Sequence, residues 1–371
     1  MNLILPTSYF VQLLVFLRAI KNMVKKLLHK ITDWERWPFK LLYAPLTPVW
    51  GWYMLRSWSI WFFTPSNPKL TFGGMEGEPK KEMYDLLPEA LYPKTIYVVP
   101  GEEHTSILEK MENRGLRLPA ILKPEAGGQG ILLRKVDKIE ELLDYHSKVP
   151  VEYIVQELVE YPMEVSVFYF RYPDKLTGKV TGFLHKLPLQ VNGDGVHTLH
   201  QLIQQHPKAY KREEELQGKH GINFNNILKP GEKYMLSYAA NHNRGARFIN
   251  LASEIDEKLV KVFDELSLLV NDFYYGRYDI MCASVEDLKN GKNFSILEYN
   301  GCGAEPNHFY DTGYTLLGAY REILKHWKVL YRISRYNNSK GIKYWPLFKG
   351  IRFRKATNKH YAIMREADKR I

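Results

Sequence analysis

Two short segments, GRYDIM and FSILEYN, carry polar residues at alternate positions between apolar ones. Because residues i and i+2 of a β-strand lie on one face, Arg277 and Asp279 share a face of the first segment. Glu298 and Asn300 share a face of the second in the same way. If the two strands are neighbours, Asp279, Glu298 and Asn300 form one surface of hard oxygen donors, the ligands that Mg²⁺ prefers when it bridges nucleotide phosphates. Arg277 would then face the reacting centre.

A glycine-rich segment earlier in the chain, PAILKPEAGGQGILLRKV, is typical of a strand, a loop and a second strand. Gly127, Gly128 and Gly130 can adopt positive φ and let backbone N–H groups approach phosphate oxygens, with Lys123 as a nearby positive charge. The pattern differs from the P-loop GxxxxGK[ST]. Glycines between two strands also suit an ordinary hairpin turn, so both interpretations stay open.

A third segment, VEYIVQELVEYPMEVSVFYFR, predicts two strands joined by a connector that Glu157 and Glu164 flank. One carboxylate at such a hinge can accept from an adenine amino group, and the other from ribose hydroxyls. For each glutamate taken alone, a surface salt bridge is the favoured interpretation.

The order of these motifs resembles that of the ATP-grasp superfamily: Lys-Pro with a glycine loop, a Gln-Glu hinge, Arg-x-Asp, then Glu-x-Asn. The resemblance covers residues 94 to about 310 and is closest to the D-alanine:D-alanine ligase-like branch of carboxylate–amine ligases. It implies an α+β ATP-grasp fold in which two α+β subdomains clamp ATP.

The resemblance also implies site roles. Asp279, Glu298 and Asn300 would coordinate two Mg²⁺ ions, for which Mn²⁺ could substitute, and Arg277 would be the catalytic residue that stabilises transition-state charge. Lys94 and Lys186 are either additional nucleotide-binding lysines or plain surface residues. The implied nucleotide contacts are Lys94, Lys123, Gly127, Gly128, Gln129, Gly130, Gln156, Glu157, Glu164 and Lys186.

The activity that the resemblance implies is an Mg-ATP-dependent ligation through an acyl phosphate, which an amine or a thiol then displaces. Two alternatives remain: an ATP-grasp small-molecule kinase, and a membrane-associated nucleotide-binding module without turnover. The substrate does not transfer from the family, since the loop reads GGQG instead of a serine-rich form and GCGAEPNH follows the last metal ligand. An acyl phosphate hydrolyses in water, so a lid is needed, and the glycine loop is the natural moving part.

The net charge of +11 is concentrated at the two ends of the chain. Residues 1–64 carry +6 and residues 325–371 carry +12, which leaves −7 between them. Basic ends around an acidic middle favour docking to an anionic surface. The sequence therefore predicts four regions: a basic, Trp-rich N-terminal region (1–64), a linker or acceptor-side segment (65–93), the ATP-grasp domain (94–324) and a basic C-terminal tail (325–371).

The N-terminal region begins with an apolar run over residues 1–17 that basic residues follow, which favours an interfacial helix over a signal peptide. Six of the eight tryptophans lie between Trp34 and Trp61. They indicate either an aromatic belt at a membrane surface or ordinary core packing. The C-terminal tail has the basic and aromatic character of a nucleic-acid footprint but accompanies no recognised nucleic-acid module, so a solvated or lipid-facing helix is favoured over nucleic acid.

The remaining candidates are cysteines and histidines. Cys282 and Cys302 lack metal or redox spacing and are expected to be small buried hydrophobes in a reducing compartment. We therefore expect a cytoplasmic protein, either free or peripheral on the inner membrane face. The 73–78 stretch GGMEGE and His308 are expected to line a rebuilt acceptor site. Alternatively, the stretch is a loop turn and His308 is a satisfied polar residue. The histidines expected to be structural or on the surface are His197, His200 and His206.

Overall fold

The computed structural model describes residues 33–371, so the expected interfacial helix over residues 1–30 lies outside the described part. The strands are β1 (Thr95–Val98), β2 (Ala120–Pro124), β3 (Arg134–Val136), β4 (Tyr153–Glu157), β5 (Met163–Phe170), β6 (Lys179–Leu187), β7 (Gln190–Asn192), β8 (Lys233–Met235), β9 (Arg247–Asn250), β10 (Tyr275–Cys282) and β11 (Phe294–Asn300). The helices are α1 (Phe39–Tyr43), α2 (Thr47–Ser57), α3 (Lys80–Tyr84), α4 (His104–Arg114), α5 (Ile139–Lys148), α6 (Leu199–Gln205), α7 (Glu213–His220), α8 (Glu257–Val270), α9 (Val285–Lys289), α10 (Leu316–Ser339) and α11 (Leu347–Asp368).

The first subdomain is an antiparallel sheet in the order β1-β4-β2-β3, covered by α4 and α5. Helix α4 ends at Gly115, whose φ of 60° suits a residue without a side chain. Leu122 and Val155 are fully buried between this sheet and the two helices. The strand predicted after the glycine loop is shorter than expected, since it begins only at Arg134.

The second subdomain is a five-stranded antiparallel sheet in the order β11-β10-β5-β6-β9. Helix α8 presents an apolar face that includes Phe263 and Leu266 to this sheet. Strand β10 begins at Tyr275, so the whole of the GRYDIM segment is extended. With helices on both antiparallel sheets, the structure has the expected α+β class.

A small third unit, built from β7, β8, α6 and α7, has its own apolar core. Helix α6 starts at a capping box in which Thr198 and Gln201 exchange hydrogen bonds. His197 contacts Asp194, His200 contacts Glu213, and His206 accepts from backbone N–H groups with its Nδ1 atom. All three histidines are therefore local structural or surface residues, as expected.

Residues 33–93 divide between the two roles proposed for their aromatic side chains. Trp34 is buried against the start of α10, and Trp61, Phe62 and Phe63 are buried in a cluster around its second half. By contrast, Trp58 is 97% exposed. Core packing therefore accounts for part of this aromatic set and leaves another part facing outward.

The basic C-terminal tail consists of the end of α10 and the whole of α11. The start of α11 contacts the N-terminal region, where the Trp61 indole N–H donates to the carbonyl of Leu347. Met364, near its other end, is buried in the core of the first subdomain. Within residues 33–371, every helix is too short or too polar to cross a lipid bilayer.

Both cysteines are buried free thiols. Burial raises the pKa of the Cys282 thiol to about 11. The expectation that they act as small apolar side chains is confirmed.

Candidate active site

A cleft of about 1220 Å³ lies between the two large sheets. It exceeds the roughly 300–1,000 Å³ of an ordinary small-molecule pocket, which leaves room for more than one ligand. Both sheets, the small third unit and α11 contribute to its wall. The sequence-predicted residues that line it are Lys123, Gly127, Gly128, Gln129, Gly130, Glu164, Lys186, Arg277, Asp279, Glu298 and Asn300.

The proposed metal ligands lie on one surface of β10 and β11, as the alternation of polar residues predicts. Asp279 is the direct partner of Glu298 across the antiparallel pair, and Arg277 is the partner of Asn300. The Asn300 amide N–H donates to Asp279 Oδ2 at 3.3 Å, which leaves the amide oxygen free to act as a ligand. Two carboxylates and an amide oxygen form the hard donor set that suits Mg²⁺.

Asp279 is only 4% exposed and is surrounded by cations. Arg277 donates to both of its oxygens, at 3.3 and 3.2 Å, and Lys186 Nζ lies 3.5 Å from Oδ1. Burial alone would raise the pKa of the carboxyl group, but Arg277 and Lys186 outweigh it and lower the pKa to about 2. Asp279 is therefore ionised throughout the physiological range.

Glu164 completes this buried charge network. Its Oε1 atom lies 2.5 Å from Lys186 Nζ, and the two residues face each other across β5 and β6. Burial raises the pKa of Glu164, although Lys186 opposes the shift. Burial lowers the pKa of Lys186, but Asp279 and Glu164 together raise it above its usual value. Lys186 thus bridges two carboxylates inside the cleft and is not a plain surface residue.

A bulge in the pairing of β10 with β11 leaves Leu297 outside the regular ladder. Its carbonyl accepts from Lys123 Nζ at 3.3 Å and from the Tyr84 hydroxyl at 2.7 Å. Lys123 therefore reaches across the cleft from the first sheet to β11 of the second.

Sequence reasoning missed Lys80, which lies in the same cleft. Its Nζ atom is 3.8 Å from Glu298 Oε1 and donates to the carbonyl of Pro124 at 3.1 Å. The signal available in the sequence was the glycine-rich 73–78 stretch, which ends just before Lys80. The Gly303 N–H donates to the Gly74 carbonyl, so this stretch pairs with the chain beyond Asn300. That long-range pairing brings Lys80 to Glu298, one of the proposed metal ligands.

The charge of Lys123 predicts a pH dependence of ATP binding. Burial, followed by repulsion from Lys80, lowers the pKa of its ammonium group to about 8. The cation is present below this pH and lost above it, so the dissociation constant of a non-hydrolysable Mg-ATP analogue should be flat below about pH 8 and rise up to about tenfold per pH unit above it. In Lys123→Arg, whose side chain stays charged, calorimetry up to about pH 9.5 should show no such rise. A flat wild-type profile, or a rise that persists in the arginine variant, would contradict this role.

The glycine loop after Lys123 is held from both sides. Gln129 and Gly130 have φ angles of 59° and 68°. The Gln129 carbonyl accepts from Arg244 Nε at 2.8 Å, and His360 Nε2 on α11 donates to the Ala126 carbonyl at 2.8 Å. Arg244, between β8 and β9, and His360 on α11 therefore tether the loop that the sequence alone presented as the moving part.

Three of the predicted nucleotide contacts lie outside the cleft wall. Lys94 Nζ donates to the Gly115 carbonyl at 3.0 Å, and the Lys94 backbone N–H donates to Glu157 Oε2 at 3.3 Å. Gln156 is buried, and its amide donates to the Tyr84 and Thr95 hydroxyls at 2.8 Å each. In this structure these residues join β1, β4 and their neighbours.

Glu78 and Glu305 also lie on the wall of the cleft, beyond the proposed metal ligands. Burial raises the pKa of the Glu78 carboxyl group to about 7. A hydrogen bond from the Glu78 backbone N–H opposes this shift, and the negative charge of Glu298 adds to it. Burial also raises the pKa of Glu305, which accepts from the Tyr43 hydroxyl at 2.8 Å and the Tyr310 hydroxyl at 3.0 Å. The 73–78 stretch and the N-terminal region therefore both reach this side of the cleft, whereas His308 packs against Gly182 of β6, outside the cleft wall.

No protein-family model matches the sequence, and no curated protein matches it significantly. The structure is similar to a bifunctional glutathione synthetase from Pasteurella multocida (15% identity over 66% of this chain and 36% of that one, TM-score 0.34). It is also similar to D-alanine–D-alanine ligase from Bacillus anthracis (14% identity over 71% of this chain and 69% of that one, TM-score 0.41). A third similar structure is ATP-grasp ligase PsnB complexed with minimal precursor (15% identity over 60% of this chain and 50% of that one, TM-score 0.31). The match thus spans less than two thirds of the first and third proteins. The last two are named as ligases.

Proposed function

We propose that this chain is an Mg-ATP-dependent ligase of the ATP-grasp type that joins a small-molecule carboxylate to an amine or a thiol. The observation that carries the proposal is the shared face of β10 and β11, where Asp279, Glu298 and Asn300 meet Lys123 from the opposite sheet across one cleft. The size of the cleft supports two substrates beside each other.

The donor set fits magnesium, which when bound neutralises and orients the triphosphate. Asp279, Glu298 and Asn300 would hold it. Lys123 and the backbone N–H groups of the glycine loop would bind the phosphates. Arg277 is fixed by Asp279 and by the Glu305 carbonyl at 3.3 Å, so its guanidinium is positioned to stabilise charge on the transferred phosphoryl group.

The reaction consists of two displacements. A carboxylate oxygen of the first substrate attacks the γ-phosphorus, and the bond to the β,γ-bridging oxygen breaks to release ADP. The acceptor nitrogen or sulfur then attacks the acyl carbon, phosphate leaves with the substrate's oxygen, and the acceptor loses a proton. Glu78, with its raised pKa near neutrality, is suited to take that proton.

Release of ADP in the presence of pooled carboxylates and amines tests this function. A ligase should release ADP and phosphate only when both substrates are present, and ¹⁸O from a labelled carboxylate should appear in the phosphate. A stable phosphorylated small molecule would instead identify a kinase. ATP binding without any turnover would favour the nucleotide-binding module.

We further propose that the protein docks on an anionic membrane surface through its two basic ends. The contact between Trp61 and Leu347 brings these ends together. Next to it, Trp58 is 97% exposed and Phe348 is 71% exposed. Lys349 stacks 4.0 Å from the Trp345 ring, which places a positive charge beside these apolar side chains. An apolar surface with adjacent cations suits insertion into an anionic headgroup layer.

Flotation with phosphatidylserine vesicles should recover the wild-type chain at low salt and less of it at high salt, since salt screens the cations. Replacing Trp58 and Phe348 together by serine should weaken binding about tenfold or more, because each large apolar side chain contributes roughly 1.5–3 kcal/mol when buried. Ile222→Ser, at an exposed apolar residue of the third unit, is the matched control and should float like wild type. Absence of wild-type flotation at low salt contradicts the docking.

A further inference from the structure

A second cluster of possible metal-binding side chains packs against Phe168, Gly182 and Tyr275 on the cleft-facing side of the second sheet, but outside the wall of the cleft. It consists of His308, in the turn Asn307–Phe309, and of Glu322 and His326 on α10. One possible ligand atom from each lies within 4.8 Å of the other two. Glu322 and His326 are four residues apart, so they lie on the same face of the helix.

The two imidazoles are buried without adequate polar partners. His308 is 6% exposed and His326 is 2% exposed. Among residues 33–371, both ring nitrogens of His308 and the Nε2 atom of His326 have no hydrogen-bond partner. A buried polar group without a partner costs about 1–3 kcal/mol. A cation bound beside Glu322 would give a partner to the Nε2 atoms of both histidines.

Contacts around the cluster turn the ligand atoms inward. The Tyr275 hydroxyl contacts His326 Nδ1 at 3.3 Å, which leaves Nε2 free for a ligand. Lys325 Nζ donates to Glu322 Oε2 at 3.2 Å, so Oε1 faces the histidines. Glu322 Oε1 lies 3.5 Å from His308 Nε2 and 3.3 Å from His326 Nε2. Fixing the second nitrogen of a histidine from outside is how proteins orient metal ligands.

We propose that His308, Glu322 and His326 bind one divalent transition-metal ion of the zinc type. Two imidazole nitrogens and one carboxylate oxygen form a donor set known for Zn²⁺, with a fourth position left for water. Imidazole donors favour Zn²⁺ over Mg²⁺, so this site is distinct from the proposed Mg²⁺ face on β10 and β11. The Glu322 carboxylate beside the two imidazoles also supplies negative charge that would attract a cation.

The position of the site suggests a structural role. The loop between β11 and α10 carries Glu305 and Asn307 to the cleft wall, and His308 directly follows Asn307. A metal ion bound to His308 and to two α10 side chains would fasten this loop to the helix. Its effect should therefore be seen first in thermal stability and metal content.

A second possible group, Glu35, His242 and Asp311, is less suited to a metal because its carboxylates already have partners. Asp311 Oδ2 accepts from the Phe248 N–H at 3.1 Å, and Glu35 Oε2 accepts from the Asp311 N–H at 3.0 Å. The buried cluster of His308, Glu322 and His326 is therefore the better metal site.

Metal content of the full-length protein tests the proposal. The chain is made without a histidine tag, stripped with EDTA, incubated with Zn²⁺ and desalted before elemental analysis. Wild type should retain about one zinc per chain. His326→Gln and His308→Gln should bind zinc about 100-fold or more weakly, and Tyr275→Phe about tenfold more weakly. His200→Gln, which removes an imidazole from an exposed pair with Glu213, is the matched control and should retain zinc like wild type.

Two measurements distinguish a metal site from a buried histidine–glutamate ion pair. Co²⁺ should give visible d–d absorption with wild type and none with His326→Gln, and Zn²⁺ should raise the melting temperature of wild type but not of that variant. Glu322→Gln, at the more accessible ligand, serves the same purpose should a histidine variant fail to fold. Wild type that retains no zinc and shows no thermal shift overturns the proposal, as does full zinc retention in both Glu322→Gln and a folded histidine variant.

Discussion

Glu298→Gln is expected to weaken Mg-dependent ATP binding about 100-fold, which corresponds to about 2.7 kcal/mol. Glu298 is the carboxylate opposite Asp279, and its only ion pair among the described residues is the 3.8 Å contact with Lys80. Its oxygens are therefore more available to a metal ion than those of Asp279. ADP release should fall about 10³-fold, because the ion stabilises transition-state charge by several kcal/mol.

The same substitution should leave the fold intact, since the Glu298 side chain is 34% exposed and its contact with Lys80 is long. The free energy of unfolding should change by less than about 1 kcal/mol. Glu286→Gln on α9, an exposed carboxylate outside the cleft wall, is the matched control and should bind Mg-ATP like wild type. Calorimetry with and without Mg²⁺ measures both affinities. Unchanged affinity in Glu298→Gln would remove β11 from the proposed metal site.

Asp279→Asn should have a different outcome, because it should both abolish ATP binding and destabilise the fold. The neutral amide leaves Arg277 and Lys186 without the carboxylate that they share, and breaking a buried pair costs about 3–5 kcal/mol. The melting temperature should fall by roughly 5–10 °C. The pKa of Asp279 is about 2 in the folded protein and 3.8 in the unfolded chain. The stability that the ionised Asp279 carboxylate contributes is therefore complete above about pH 5 and is lost as the pH falls toward 2.

A double variant distinguishes the loss of charge pairing at Asp279 from a loss of packing. If unpaired cations cause the loss, adding Arg277→Leu to Asp279→Asn should recover about 1–2 kcal/mol of unfolding free energy in denaturant titrations. An additive double variant would mean that the loss comes from packing and not from charge.

Local patterns in the sequence were sufficient to predict that Asp279, Glu298 and Asn300 share one face of two neighbouring strands. Alternation along FSILEYN places Glu298 and Asn300 on one side of a strand, and the structure shows Asp279 and Arg277 directly opposite them. The strands and α4 of the first subdomain follow equally local signals. The α+β class could be predicted because each of these segments has a clear helical or extended period.

Contacts between distant segments could not be read from local periodicity. Lys80 enters the cleft only because the 73–78 stretch pairs with residues beyond Asn300. His308 gave no sequence signal for a cluster with His326, since the i, i+4 spacing of Glu322 and His326 becomes meaningful only when the loop folds back onto α10. Lys94, Gln156 and Glu157 were expected from the resemblance, and the structure places them outside the cleft wall, directly before β1 and at the end of β4.

The contact of α11 with the glycine loop has a consequence for biosynthesis. His360 and Asp368 hold backbone groups of residues 126 and 132 and are translated more than 200 residues after them. The nascent chain can form the strands on both sides of the loop long before these partners leave the ribosome. ATP can therefore stabilise this cleft only late in synthesis, and a ribosome-bound chain stalled before residue 347 should gain little protease resistance from the nucleotide.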